Sequence, residues 1–215
     1  FKIKKFDSSY TNNKKIKLKN TDTAMIFFTS GSTGEPKGVV INYNGFLNCL
    51  FEQNRIFYKN RKNLIFGDYH DLSFVISLCI LLPCFFTKSI ISPGIDPYES
   101  FLPINHIKQN KINVLVTVPS TMTRLKNYLK TEKILNKFEL IIMCGEPFYL
   151  DLYKFMIEKL IYKDIFNCYG STELSPWVFF HKCKKKDLKT FAKYKLMPIG
   201  KTYRYTKTLI KKNEL

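Results

Sequence analysis

The sequence predicts an α/β fold, a mainly parallel sheet with flanking helices. Short apolar, β-branched runs alternate with segments of helical length along most of the chain, the signature of strand–helix–strand crossovers. Apolar residues make up 45% of the 215 positions and aromatics 15%, enough to bury a core in one domain. A loop rich in glycine and hydroxyls follows the first apolar run, and open α/β sheets bind ligands at strand ends. Beyond Trp177 the pattern turns irregular and predicts antiparallel pairing.

Each element has a local reason. Residues 1–22 are lysine-rich and polar, a basic connector or edge segment ahead of a domain over 23–215. Ala24–Phe28 reads as a buried strand, and Val39-Val40-Ile41 as another because β-branched runs favour extended chain. Asn44 can cap a helix through about Tyr58. Leu64-Ile65-Phe66 is a short strand. The apolar stretch Leu72–Phe86 contains Ser73, Ser77 and Pro83 and falls short of the ~20 residues of a membrane span. It predicts a buried helix beginning at Asp71 or Ser73, followed by a strand over Phe85–Ile91. Tyr98 to Lys111 reads as helix despite Pro103, and Val114–Val118 as strand. Pro119 opens a helix to about Leu129, since proline suits a first helical turn. Leu140–Met143 is a strand, Leu150–Tyr162 a helix, and Ile165–Asn167 a further strand.

Composition narrows the partners. The net charge is +18, but the lysines are scattered among abundant Asn, Ile, Phe and Tyr, which argues against a dedicated nucleic-acid surface. The positive field favours anions such as ATP or an acidic carrier protein. Six cysteines (49, 79, 84, 144, 168 and 183) show no CxxC spacing or Cys/His ladder, which argues against zinc. No secretory segment opens the sequence, so reduced thiols in the cytoplasm are the natural expectation.

Residues 28–39 carry the chemistry. Thr29, Ser30, Ser32 and Thr33 offer hydroxyl donors, and Gly31, Gly34 and Gly38 let backbone N–H groups converge on one phosphate. Lys37 adds a mobile cation after the rigid Pro36. A Walker loop is excluded, since Pro36-Lys37-Gly38 stands where Gly-Lys-Ser/Thr is required. Composition alone would also allow a flexible surface turn.

The string Thr29-Ser30-Gly31-Ser32-Thr33-Gly34-Glu35-Pro36-Lys37-Gly38 resembles the phosphate loop of adenylate-forming enzymes, which include acyl-CoA synthetases, luciferases, peptide-synthetase adenylation domains and D-alanine–carrier-protein ligases. Asn167-Cys168-Tyr169-Gly170-Ser171-Thr172-Glu173 is similar to that family's Tyr-Gly-x-Thr-Glu motif, which meets ATP opposite the phosphate loop. In that role Tyr169 offers an aromatic face to a purine, Asn167 a donor and acceptor to the adenine edge, and Thr172 a donor to the α-phosphate. Glu173 is a hard oxygen ligand suited to Mg²⁺. Cys144-Gly145-Glu146-Pro147 resembles the turn that packs on adenine, in the form seen in the D-alanine ligase branch. There the cysteine narrows the substrate pocket, although a buried free cysteine is also an ordinary small hydrophobe. His70-Asp71-Leu72-Ser73 partly matches the Phe-Asp-x-Ser segment whose aspartate meets a substrate ammonium; an aspartate there is also a sufficient helix N-cap. Met197-Pro198-Ile199-Gly200-Lys201 resembles a further family strand and supports the register.

The resemblance implies ATP-dependent activation of a carboxylate with release of pyrophosphate. The expected acid is a small amino acid such as D-alanine, passed as a thioester to a phosphopantetheinyl carrier protein. An acyl- or aryl-CoA synthetase using coenzyme A, or a non-catalytic nucleotide-binding module, is the alternative. The residues implied are Thr29 to Gly34 and Lys37 for phosphates, Gly145, Glu146 and Asn167 to Thr172 for the nucleotide, Asp71, Cys144 and Pro176 for the acid, and Glu173 for the metal. Lys37, Thr172 and Glu173 are the implied catalytic groups. The family's early N-terminal region, ribose-binding segment and small lysine-bearing C-terminal domain have no counterpart here, so this is expected to be a partial domain.

Overall fold

The computed structural model describes residues 17–30, 35–129 and 137–210. The chain opens with β1 (Thr23–Thr29) and β2 (Lys37–Asn42), an antiparallel hairpin that forms its own two-stranded sheet. This corrects the expectation of a buried strand: Ile26 is 54% and Phe28 70% exposed. An apolar run does not by itself reveal whether both faces are covered.

α1 (Tyr43–Gln53) follows and passes into a π-helical turn over Asn54–Tyr58. Its N-cap is Asn42, not Asn44, with the Asn42 side chain accepting from the Gly45 N–H at 2.8 Å. Next come β3 (Ile65–Asp68), α2 (Val75–Thr87) and β4 (Ile90–Pro93). The α2 helix runs to Thr87 and ends on Lys88 in the left-handed region, so strand starts at Ile90 rather than Phe85. Pro103 splits the single helix expected over 98–111 into α3 (Pro97–Phe101) and α4 (Ile104–Gln109), as the missing N–H requires. The remainder is β5 (Val114–Thr117), α5 (Pro119–Tyr128), β6 (Lys137–Phe138), β7 (Leu140–Met143), α6 (Leu150–Lys159), β8 (Ile161–Tyr162), β9 (Ile165–Tyr169), β10 (Phe179–Lys182), α7 (Asp187–Thr190) and β11 (Lys201–Thr202). The α6 helix stops at Lys159, because Ile161 and Tyr162 pair with β6.

Seven of the described strands form one sheet in the order β11-β10-β9-β7-β5-β3-β4. Pairing is parallel from β4 through β9 and antiparallel at β10 and β11. Side chains alternate across it. Leu115, Ile141, Met143 and Ile165 enter a core shared with α4, α5 and α6. Val114, Val116, Leu140, Ile142, Phe166 and Cys168 enter a second core beneath α1, the π turn and α2. Both faces are therefore covered, as a parallel sheet requires. No described helix is long and apolar enough to cross a membrane.

Candidate nucleotide-binding site

The carboxyl ends of β5, β7 and β9 release three turns to one side of the sheet, where ligands of such sheets bind. A cavity of about 670 Å³ lies there. Val118 enters it after β5, Cys144, Gly145 and Glu146 after β7, and Gly170, Ser171 and Thr172 after β9. Thr29 and Ser30, at the end of the hairpin's first strand, complete the polar wall. Phe27, Phe28, Ser73, Phe74, Val75, Ile76, Pro176 and Trp177 supply the rest.

Backbone geometry fixes two of these turns. Gly145 has φ +80, a conformation that favours glycine. Gly170 lies so close to the next segment that an added Cβ would sit 2.3 Å from the Trp177 Cα and 2.4 Å from the Pro176 oxygen. Cys144 is buried, its N–H donates to the Thr117 carbonyl at 3.1 Å, and burial pushes its thiol well up. Glu146 accepts from both the Ser120 N–H and hydroxyl, anchoring its turn to the start of α5.

The cavity thus gathers Thr29, Ser30, Cys144, Gly145, Glu146, Gly170, Ser171, Thr172 and Pro176 from separate stretches of sequence. Gly31, Ser32, Thr33 and Gly34 lie outside the described residues. Lys37 is exposed and stands directly opposite Thr29 in the hairpin register. The other expected site residues are placed differently. Asn167 is buried, and its amide donates to the Met197 and Pro198 carbonyls at 3.4 and 3.0 Å, so its donor is committed to packing rather than to the cavity wall. Cys168 belongs to the second core. Tyr169 is half-exposed and meets Phe179 edge to face at 5.9 Å. Asp71 is fully exposed and accepts the Ser73 N–H at 2.8 Å, a turn ahead of α2 rather than its N-cap, which is Phe74. Glu173 is exposed, lines an adjoining cavity with Asn44 and Lys207, and is held below its ordinary pKa by the Ser171 hydroxyl.

Sequence reasoning missed the aromatic wall and the Ser120–Glu146 clamp. Trp177, the single tryptophan of the chain, and Val118, the residue after an apolar strand, were the available signals.

Similarity to known proteins agrees with this fold. The family described as AMP-binding enzyme matches residues 2–214. The D-alanine–D-alanyl carrier protein ligase of Staphylococcus epidermidis is 29% identical over 202 residues, which is 90% of this chain and 40% of that protein. The β-alanyl-bioamine nonribosomal peptide synthetase ebony of Drosophila melanogaster is 29% identical over 193 residues, 84% of this chain and 22% of that protein. The chain therefore spans well under half the length of these curated relatives. Among solved structures, the Vibrio cholerae adenylation domain AlmE, in complex with glycyl-adenosine-5'-phosphate, superposes with a TM-score of 0.74 at 21% identity, covering 86% of this chain and 34% of that one. The Bacillus subtilis O-succinylbenzoate coenzyme A synthetase, in complex with ATP and magnesium, gives 0.72 at 18% identity, covering 92% and 39%. These likenesses share the α/β fold described above. The chain belongs to the AMP-binding enzyme family.

Proposed function

We propose that this domain binds ATP beside a carboxylic acid and joins the two as an acyl-adenylate with release of pyrophosphate. The observation that carries this reading is the single cavity onto which Thr29, Ser30, Cys144–Glu146 and Gly170–Thr172 converge. The acid's carboxylate attacks the α-phosphate in line, a reaction that needs positioning and charge neutralisation rather than covalent help. Thr29, Ser30 and Lys37 hold the outer phosphates and the departing pyrophosphate, while Thr172 donates to the α-phosphate. The described residues contain no cluster of three metal-ligating side chains, and Glu173 is a lone, ionised, exposed carboxylate. That donor set fits Mg²⁺ carried in on a triphosphate, which takes one or two protein carboxylates and fills its shell with phosphate and water oxygens. Glu173 would hold it, and the ion would supply neutralising charge to the phosphates.

The finer reading is a small amino acid such as D-alanine, with Cys144 limiting side-chain size and Asp71 meeting the ammonium, passed to a phosphopantetheinyl carrier. We read residues 23–215 as the nucleotide-binding unit and 1–22 as its connector. Six buried free thiols suit a reducing compartment such as the cytoplasm. One observation favours a second reading, an acyl- or aryl-CoA synthetase. Asp71 points its carboxylate at Ser73, and the cavity wall carries Phe27, Phe28, Phe74, Val118 and Trp177 instead.

Calorimetry with Mg·ATP tests the site, and acid-dependent exchange of pyrophosphate into ATP tests the reaction. Exchange driven by D-alanine and lost in Asp71→Ala, with ATP binding spared, supports the amino-acid reading. Exchange driven only by fatty or aryl acids rejects it, and ATP uptake with no exchange under any acid leaves a nucleotide-binding module. Failure of well-folded protein to take up Mg·ATP removes the whole reading.

A further inference from the structure

A second groove, of about 650 Å³, shares no residue with the nucleotide cavity. It runs beside β9, β10 and β11 and is walled by Arg55, Lys182, Lys184, Lys186 and Lys201. Its two carboxylates already have hydrogen-bond partners. Asp164 is held by Arg61 and by Lys182 at 2.5 Å; Asp187 accepts from His181 at 2.8 Å and from the Lys184 N–H at 2.7 Å. Arg55 is spent in a two-pronged bond to Glu52, both arms 2.7 Å. The exposed ammonium groups of Lys184, Lys186 and Lys201 have no acidic partner among the described residues.

We propose that this groove binds a chain of phosphates. Three lysines without acidic partners are compact, rotatable point charges, which suit tetrahedral phosphate oxygens; planar carboxylates of an acidic protein match the fork of arginine, and the groove's one arginine is committed. Single-stranded nucleic acid uses stacking platforms. The groove's phenyl rings, Phe166 and Phe180, are buried and lie beneath Lys182 and Lys201 at 6.0 and 5.6 Å, and its part-buried His181 ring is held by Asp187 and edge to face by Phe191, so no phenyl face is open to a base. The charge of +18 concentrates polyanions around the whole molecule, and the unpaired lysines give them one place to settle. The phosphates could belong to free polyphosphate or to the tail of a nucleotide. The proposal is independent of the reading of the nucleotide cavity.

The probe is inorganic tripolyphosphate, titrated calorimetrically into the chain at low ionic strength. A component that survives Lys37→Ala but weakens roughly tenfold in the combined Lys184→Ala, Lys186→Ala, Lys201→Ala variant is expected, since each exposed charge contributes modestly. Circular dichroism confirms that the variant folds. ATP competing for that component identifies a nucleotide tail as the source, and absence of competition identifies free polyphosphate. Unchanged binding in the triple variant overturns the proposal. So does single-stranded RNA that binds far more tightly than tripolyphosphate and is lost in the same variant.

Discussion

Glu146 accepts two hydrogen bonds from one residue, at 2.7 Å from the Ser120 N–H and at 2.9 Å from the Ser120 hydroxyl. The pair ties the turn after β7 to the first turn of α5, where an orphan N–H and the positive end of the helix dipole both favour a carboxylate. Two walls of the cavity at the strand ends are thereby held at a fixed spacing.

Glu146→Ala is expected to lower stability by about 1 kcal/mol, the ordinary worth of an N-terminal cap. Urea unfolding measures this, and ATP titration should show weakened binding in the same variant. Unchanged values in both measurements would leave the clamp without consequence.

Trp177 lines the cavity and is the chain's sole tryptophan, so its emission reports on that site alone. Nucleotide binding should shift or quench it. Gly170→Ala places a methyl 2.3 Å from the Trp177 Cα, and backbone must yield. A loss of about 2 kcal/mol is expected, with an altered emission maximum before any ligand is added.

The acid limb of the stability profile should bear the mark of Asp164. Burial alone would raise this carboxyl, but hydrogen bonds from Lys182 and Arg61 outweigh it and hold the group below its ordinary value. The native state then binds fewer protons than the unfolded chain, so this contribution is complete above the usual carboxylate pKa and disappears as pH falls through the lowered one. Asp164→Asn should cost about 2 kcal/mol at neutral pH, less than a fully buried pair because Lys182 remains solvated, and should flatten the acid limb. Asp68 has the opposite sign. Burial raises it, so Asp68→Asn should improve stability at neutral pH relative to acid, where the wild-type group is already protonated. Chemical denaturation across pH separates the two.

All six cysteines are free and buried. Burial pushes Cys49 up to about 11 and raises the other five thiols as well. Only a thiolate attacks a disulfide reagent, so near pH 8 the native protein should give almost no reaction and the denatured protein six equivalents. Rapid reaction of Cys144, suppressed by ATP, would reveal a cavity more open than its burial indicates.

Much of this architecture was legible because it depends on local chemistry. The strands β5, β7 and β9 sit between two cores, so nearly every residue in them is apolar and the runs announce themselves. The turns that line the cavity announce themselves as well, through Gly145 at a φ that favours glycine and Gly170 where an added Cβ would meet backbone.

Other features depend on neighbours that are distant in sequence. Apolar composition alone could not say that β1 would pair, among the described strands, with β2 alone and leave Phe28 exposed. Asn167 has the same donors whether it faces a base or a carbonyl, and only the return of Met197 and Pro198 beside β9 commits it to packing. Asp71 likewise turns on a neighbouring N–H.

By itself the sequence determined the parallel α/β sheet and the glycines at strand ends, because propensity, periodicity and positive φ are properties of adjacent residues. Tertiary structure alone decided which turns share a cavity, that Glu146 grips Ser120, and that a free-lysine groove lies elsewhere on the molecule. Strand order sets the turns after β5, β7 and β9 beside one another, and the separate hairpin brings Thr29 to Thr172, more than a hundred positions away; no local pattern encodes either.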